Sequence, residues 1–197
     1  MINFKPTRIP GRWKEGYSLD YHTISSIYLG DDEFGHPIYD TKRTELGELL
    51  FRLKYRSDQS VLEELIDIIE HFFYSWKPPI DFIIPVPPSQ PGRIYQPVLT
   101  LAQKLGTRLD LPLKPECIIK VKNTPELKNV FDFDERFRLL TGVFRADSTW
   151  AGERNLLLFD DLYRSGATMN AITEVLYEEG YANNVYALTI SRTRSRT

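Results

Sequence analysis

Residues 156–168 read Leu156-Leu-Leu-Phe159, then Asp160-Asp161, then Leu162-Tyr163-Arg164, then Ser165-Gly166-Ala167-Thr168. The first four positions are all apolar. A strand that is apolar on both sides is covered on both faces, as in a parallel sheet flanked by helices. Asp160 to Thr168 is expected to be a loop. A helix is expected from about Ala167 to Glu179, with Ile172, Val175 and Leu176 facing inward and Gly180 at its C-terminal cap. Residues 185–190 form a further strand. Strand–helix–strand alternation with short connections predicts an α/β fold, a doubly wound, mainly parallel sheet flanked by helices. Ligands of such sheets bind beyond the carboxyl ends of the strands.

The loop itself is chemically loaded. A helix N-terminus offers unpaired N–H groups and the positive end of a dipole, which together hold phosphate. Gly166 lets the backbone approach an anion, and Ser165 and Thr168 add hydroxyl donors. Asp160 and Asp161 would repel a bare phosphate. They suit sugar hydroxyls, which donate to carboxylates, or a divalent cation. Taken singly, the acid pair also fits an acidic pocket of receiver-like folds or solvated loop charge, and Ser-Gly-Ala-Thr also fits a plain helix cap. In register with a buried strand and a following helix, the segment fits a phosphorylated sugar.

Working outward, Leu46, Leu49, Leu50 and Leu53 make one amphipathic stripe, and Leu62, Leu65, Ile66, Ile69 and Phe73 a second, which Pro78-Pro79 ends. A short strand at 81–86 leads into a loop at 86–93 that contains Pro87, Pro88, Ser89 and Arg93. Pro97 then opens a helix that Gly106 is expected to stop. Residues 117–121 read as a strand, 122–135 as a long loop, 136–140 as a helical turn and 142–144 as a short strand. Residues 18–39 carry β-rich pieces around Gly30-Asp-Asp-Glu-Phe-Gly35, which predicts a hairpin or two short strands. Residues 1–17 show no sustained periodicity and read as an irregular arm. The expected division is an N-terminal arm with a small β extension over 1–43, an α/β domain over 44–192 and a basic, frayed tail over 193–197.

Composition narrows the class. The chain has 197 residues, 42% of them hydrophobic and 26% charged, and a formal charge of −2. One such domain buries a real core, and no basic field pulls it onto nucleic acid or an anionic membrane. The lone Cys117 excludes an intrachain disulfide and a cysteine-built zinc ribbon. No apolar run has membrane-span length, and Met1 to Trp13 lacks a signal-peptide core, so a cytoplasmic protein is expected. His22, His36 and His71 show no metal-ligand spacing. Trp13, Tyr17, Tyr21, Tyr28, Phe34 and Tyr39 are either strand packing or a stacking surface for a base. Trp76 and Trp150 read as core or interface anchors.

Residues 156–168 resemble the phosphoribosyl-pyrophosphate (PRPP) motif of type I phosphoribosyltransferases: apolar strand, two acids, a variable pair, hydroxyl residues, glycine, threonine. Leu53–Asp58 (LKYRSD), Ile84–Ser89 (IPVPPS) with Arg93 and Gln96, and Asp134–Phe144 (DERFRLLTGVF) extend the resemblance to the competence protein F branch, over about residues 44–192. The resemblance implies that Asp160 and Asp161 contact the ribose hydroxyls and serve catalysis. Arg164, Ser165, Gly166, Ala167 and Thr168 would wrap the 5′-phosphate. Pro87 and Pro88 would stiffen a pyrophosphate loop whose contacts come from Ser89 and Arg93. Mg²⁺ would be held mainly by PRPP, near the acids, with no direct protein site. Lys120, Lys122 and Lys128 lie where family members have a mobile loop, although solvated lysines are the simpler reading.

The implied activity is transfer of phosphoribosyl from PRPP to a nitrogen nucleophile with release of pyrophosphate. Departures accompany it. The branch commonly begins with a four-cysteine zinc module that one cysteine cannot build. Arg164 stands where purine-base enzymes use an acid, and Leu139 stands where the branch has Asn after Glu135-Arg136. Arginine cannot act as a base at neutral pH. The alternatives are a non-catalytic PRPP or nucleotide sensor, and a partner-binding module in DNA uptake. A homodimer is the expected assembly if one forms.

Overall fold

The computed structural model describes residues 2–88, 95–123, 130 and 132–194. Its centre is a five-stranded sheet in the order β1-β2-β9-β8-β5. The strands are β1 (Thr7–Arg8), β2 (Glu15–Tyr21), β5 (Phe82–Pro85), β8 (Asn155–Tyr163) and β9 (Asn184–Arg192). β5, β8, β9 and β2 run parallel, and β1 pairs antiparallel on the outer edge of β2. The doubly wound α/β reading holds.

Each face carries its own core. On one side, α1 (Glu45–Tyr55), α2 (Leu62–Trp76) and α3 (Pro97–Leu109) pack on Leu19, Ile83, Leu157, Phe159, Leu188 and Ile190. On the other, α6 (Ala167–Glu178) packs with the ends of α4 (Phe133–Leu140) and α5 (Ser148–Ala151) on Phe82, Ile84, Leu156, Leu158, Val185 and Ala187. Leu156 to Phe159 are all fully buried because successive residues of a strand face opposite layers and both layers are occupied.

Two small sheets stand apart. β3 (Thr23–Asp31) and β4 (Pro37–Arg43) form the expected hairpin, and β6 (Ile118–Lys120) pairs antiparallel with β7 (Phe144–Ala146) outside the central sheet. Ile27, Leu29 and Phe34 of the hairpin are exposed. The aromatic residues therefore divide. Trp13 is buried, Tyr17 packs on Phe72 and Trp76, and Tyr28 and Phe34 face outward.

Several expectations change. Residues 1–17 are not wholly an irregular arm, since β2 is an inner strand of the main sheet and residues on both sides of position 43 build one core. Gly106 does not stop α3. The helix runs three residues further, to a left-handed Asp110, and Gly106 lies where the Leu111 carbonyl passes within 2.8 Å of a would-be Cβ. Gly180 is not the left-handed cap residue, a conformation that Tyr181 takes instead. The tail is anchored at its start, because Arg194 donates to the Thr23 carbonyl at 3.1 Å, while residues 195–197 lie outside the described part. Among the described residues no helix is long and apolar enough to cross a membrane.

Candidate functional site

The acid pair lies within β8, which continues to Tyr163, and not in a loop after it. This changes its meaning. Pleating sends alternate side chains to opposite faces. Leu157 and Phe159 belong to the core under α1, and Asp161 continues that face. Leu156 and Leu158 belong to the core under α6, and Asp160 continues that one. The two neighbours consequently meet different surroundings.

Asp161 is buried, and its carboxylate pairs with Lys54 of α1 at 2.7 Å. Burial works against the Lys54 charge, but Asp161 outweighs it and raises the lysine pKa above its ordinary value. His22, just past β2, lies in the same corner with its Nδ1 3.3 Å from the Ser191 hydroxyl. Burial, helped by Arg43 and Lys54, lowers the His22 pKa and favours the neutral ring.

Asp160 instead lines a cleft of about 70 Å³ with Arg136, Arg164, Ser165, Gly166, Ala167 and Thr168. One carboxylate oxygen accepts from the Asp161 N–H at 2.8 Å. Removal from water, and next the charge of Asp161, raise the Asp160 pKa well above the carboxylate range. A carboxylate so placed gains from any donor or cation that enters the cleft.

The opposite wall is the turn into α6. Gly166 has φ 79° and is the N-cap residue of that helix. A Cβ at this position would lie 2.7 Å from the Tyr163 ring, so both conformation and space require glycine. Ser165 precedes this glycine, and Ala167 and Thr168 follow it at the helix start, where the amides have no partner within the helix. The Ser165 hydroxyl accepts from the Ala167 N–H at 3.4 Å. Arg164 is exposed, and Arg136 reaches the same cleft from α4. Burial, followed by the charge of Arg164, lowers the Arg136 pKa. Two guanidiniums that oppose one another across a cleft are relieved by an anion between them.

The loop expected to bind pyrophosphate leaves β5 beside this cleft. Pro85 pairs with Phe159 in register, and the Val86 N–H donates to the Phe159 carbonyl at 2.8 Å. Val86 therefore stands level with Asp160 at one strand spacing, about 4.8 Å, and the chain continues into Pro87. Pro87 is half-buried and Pro88 exposed, whereas Ser89 and Arg93 lie outside the described residues. Lys128 lies outside them as well.

Lys54 and Arg136 lie inside the motif stretches LKYRSD and DERFRLLTGVF, at positions whose type alone assigns no role. Lys54 had a signal: it stands four residues after Leu50 and eight after Leu46, so it prolongs the buried stripe of α1. Arg136 shares a helix face with the buried Leu140 four residues on, which becomes informative only once α4 is known to lie against α6.

No protein-family profile matches the chain. Competence protein ComFC of Bacillus subtilis (strain 168) is 29% identical over 147 residues, or 74% of this chain and 59% of that protein. The chain is a homologue of ComFC. It spans about three-fifths of the length of that relative, in line with the resemblance to the competence protein F branch. Among solved structures, adenine phosphoribosyltransferase of Saccharomyces cerevisiae overlays with a TM-score of 0.47 at 13% identity, covering 85% of each chain. The Trypanosoma brucei adenine phosphoribosyltransferase does so with 0.47 at 11% identity, covering 96% of this chain and 87% of that one.

The donor set suits a magnesium ion carried by a ligand. Among the described residues no three His, Cys, Asp or Glu side chains converge to hold a metal. Mg²⁺ keeps several waters and is commonly bound through one or two carboxylates plus substrate phosphates. Asp160, which lines a cleft together with Arg136 and Arg164, is a carboxylate of that kind.

Proposed function

We propose that this ComFC homologue binds PRPP with Mg²⁺ and transfers its phosphoribosyl group to a nitrogen nucleophile, releasing pyrophosphate. The observation that carries the reading is the single cleft in which the β8 carboxylate Asp160 faces the amides at the start of α6, with Arg164 and Arg136 beside them. Carboxylate opposite anion site, at the carboxyl end of a parallel sheet, matches the two ends of a phosphorylated pentose.

In this reading Arg164, Ser165, Gly166, Ala167 and Thr168 hold the 5′-phosphate, with Arg136 as an added cation. Asp160 accepts from a ribose hydroxyl. Asp161, held by Lys54, contributes negative charge from the far face of the strand as the anomeric carbon becomes cationic. Pro87, Pro88, Ser89 and Arg93 address the pyrophosphate. Bound Mg²⁺ would neutralise pyrophosphate charge and draw on Asp160. The protein's part is positioning and charge stabilisation, without a covalent intermediate.

A second reading has its own support. The described cleft contains one carboxylate and two guanidiniums, and Arg164 cannot take a proton from an incoming nitrogen. That composition suits a PRPP-sensing protein. The competence name of the relative suits a partner in DNA uptake, although a formal charge of −2 does not favour direct contact with duplex. Titration calorimetry with PRPP and Mg²⁺, repeated with ribose 5-phosphate, tests the site. Saturable binding of both is expected, and binding of neither ends the reading. Pyrophosphate release with a panel of amines and bases then separates the enzyme from the sensor.

A further inference from the structure

We propose that Asn170 is a positioning residue for the phosphate loop and that the N-terminal segment 9–13 is the strut it works through. This rests on the phosphate reading of the α6 turn. Asn170 lies one turn into α6 and is 5% exposed, a buried polar side chain with both ends engaged. Its Nδ2 donates to the Gly166 carbonyl at 2.9 Å, and its backbone N–H donates to the same oxygen at 2.8 Å. Its Oδ1 accepts from the Arg12 N–H at 2.8 Å.

The consequence follows from peptide geometry. The Gly166–Ala167 peptide is planar, so a carbonyl held at two points fixes the opposite direction of the Ala167 N–H. That N–H stands at the helix start, where Ala167 lines the cleft and the N–H makes a long hydrogen bond to the Ser165 hydroxyl at 3.4 Å. Asn170 thereby aims a donor without touching the ligand.

The strut is itself anchored. The Tyr163 hydroxyl donates to the Pro10 carbonyl at 3.0 Å, and the Trp13 ring meets the Tyr163 ring edge-on at 6.3 Å. Trp13 Nε1 donates to the Ile9 carbonyl at 3.1 Å, closing the segment on itself. The Arg12 guanidinium pairs with Glu174 of α6 and lies 4.9 Å from the centre of the Phe137 ring, next to Arg136. Residues 9–13 thus touch both cleft walls, the glycine turn and α4.

Ribose 5-phosphate affinity by calorimetry, read beside thermal midpoints, tests this in wild type, Asn170→Asp and Tyr163→Phe. The aspartate variant is nearly isosteric, keeps the acceptor for the Arg12 N–H and loses the donor to Gly166. About a tenfold loss of affinity is expected at neutral pH. The ratio to wild type should recover on acidification, since a protonated aspartate again donates to the Gly166 carbonyl. Tyr163→Phe, which frees Pro10, should weaken binding severalfold with no such pH recovery. A wild-type protein that fails to bind overturns both the phosphate reading and this one. Wild-type binding with unchanged affinity in both variants, or a loss in Asn170→Asp that does not vary with pH, overturns the positioning role alone.

Discussion

Asp160 and Asp161 are chemically identical neighbours, yet one lines an open cleft and the other is closed off by a lysine. The strand pleat separates them, and what each face has packed against it does the rest. Under α1 a long side chain from Lys54 reaches Asp161 and neutralises it. Under α6 the helix begins with amides and is joined by two arginines, so Asp160 shares its cleft with Arg136 and Arg164. Asp161 keeps its charge because Lys54 pairs with it, whereas burial and the neighbouring Asp161 push Asp160 toward its protonated form.

The sharpest way to break this comparison is to close the cleft. Gly166→Val forces a β-branched residue into a left-handed conformation and against Tyr163. It should abolish ribose 5-phosphate binding by calorimetry and cost about 3 kcal/mol in urea unfolding. Retained binding would mean that the α6 turn is not the anion site.

Lys54→Met strikes the other face. It leaves Asp161 as a buried carboxylate without its cation, expected to cost about 3 kcal/mol. Because the Lys54 pKa is raised, the pair's contribution is complete at neutral pH and fades only as pH climbs through that raised value. Unfolding curves at neutral pH should therefore report the wild-type pair intact, with the variant's loss growing as pH rises and the unpaired Asp161 is forced to ionise. Adding Asp161→Leu should recover part of it, and a double-mutant cycle reads the coupling.

Asp160→Asn should act in the opposite sense on stability. A carboxyl with a raised folded-state pKa contributes below the unfolded carboxylate pKa and loses that contribution as pH rises through the folded value. The variant should thus gain about 1–2 kcal/mol over wild type at neutral to alkaline pH, seen as a higher thermal midpoint, with no gain in acid. It should also lose PRPP affinity. A pH-independent difference would place Asp160 outside the cleft's electrostatics.

The smallest effect sharpens the picture without touching the fold. Arg164 is exposed, so Arg164→Ala should leave the thermal midpoint within about 1 °C of wild type, as for most surface changes. It should weaken ribose 5-phosphate binding about tenfold at low salt, and less as salt rises. Arg136→Ala should weaken ribose 5-phosphate binding in the same salt-dependent way.

Residues 156–168 determined a great deal unaided: a strand covered on both faces, a helix starting at Ala167, and a glycine where the chain turns into that helix. The stripes of α1 and α2 and the hairpin at 23–43 were equally legible, because periodicity and turn residues are local signals. Tertiary structure decided the rest. β2 became an inner strand because β9 offered it an edge, which nothing in residues 15–21 announces. Lys54 and Arg12 found their partners across gaps of 107 and 158 residues, in Asp161 and Asn170, and Arg136 came to share a cleft with Arg164, 28 residues on. Local pattern says which side of an element is apolar or charged. Only the packed fold says what stands opposite, and the strength of a charge depends on that neighbour and on how much water lies between them.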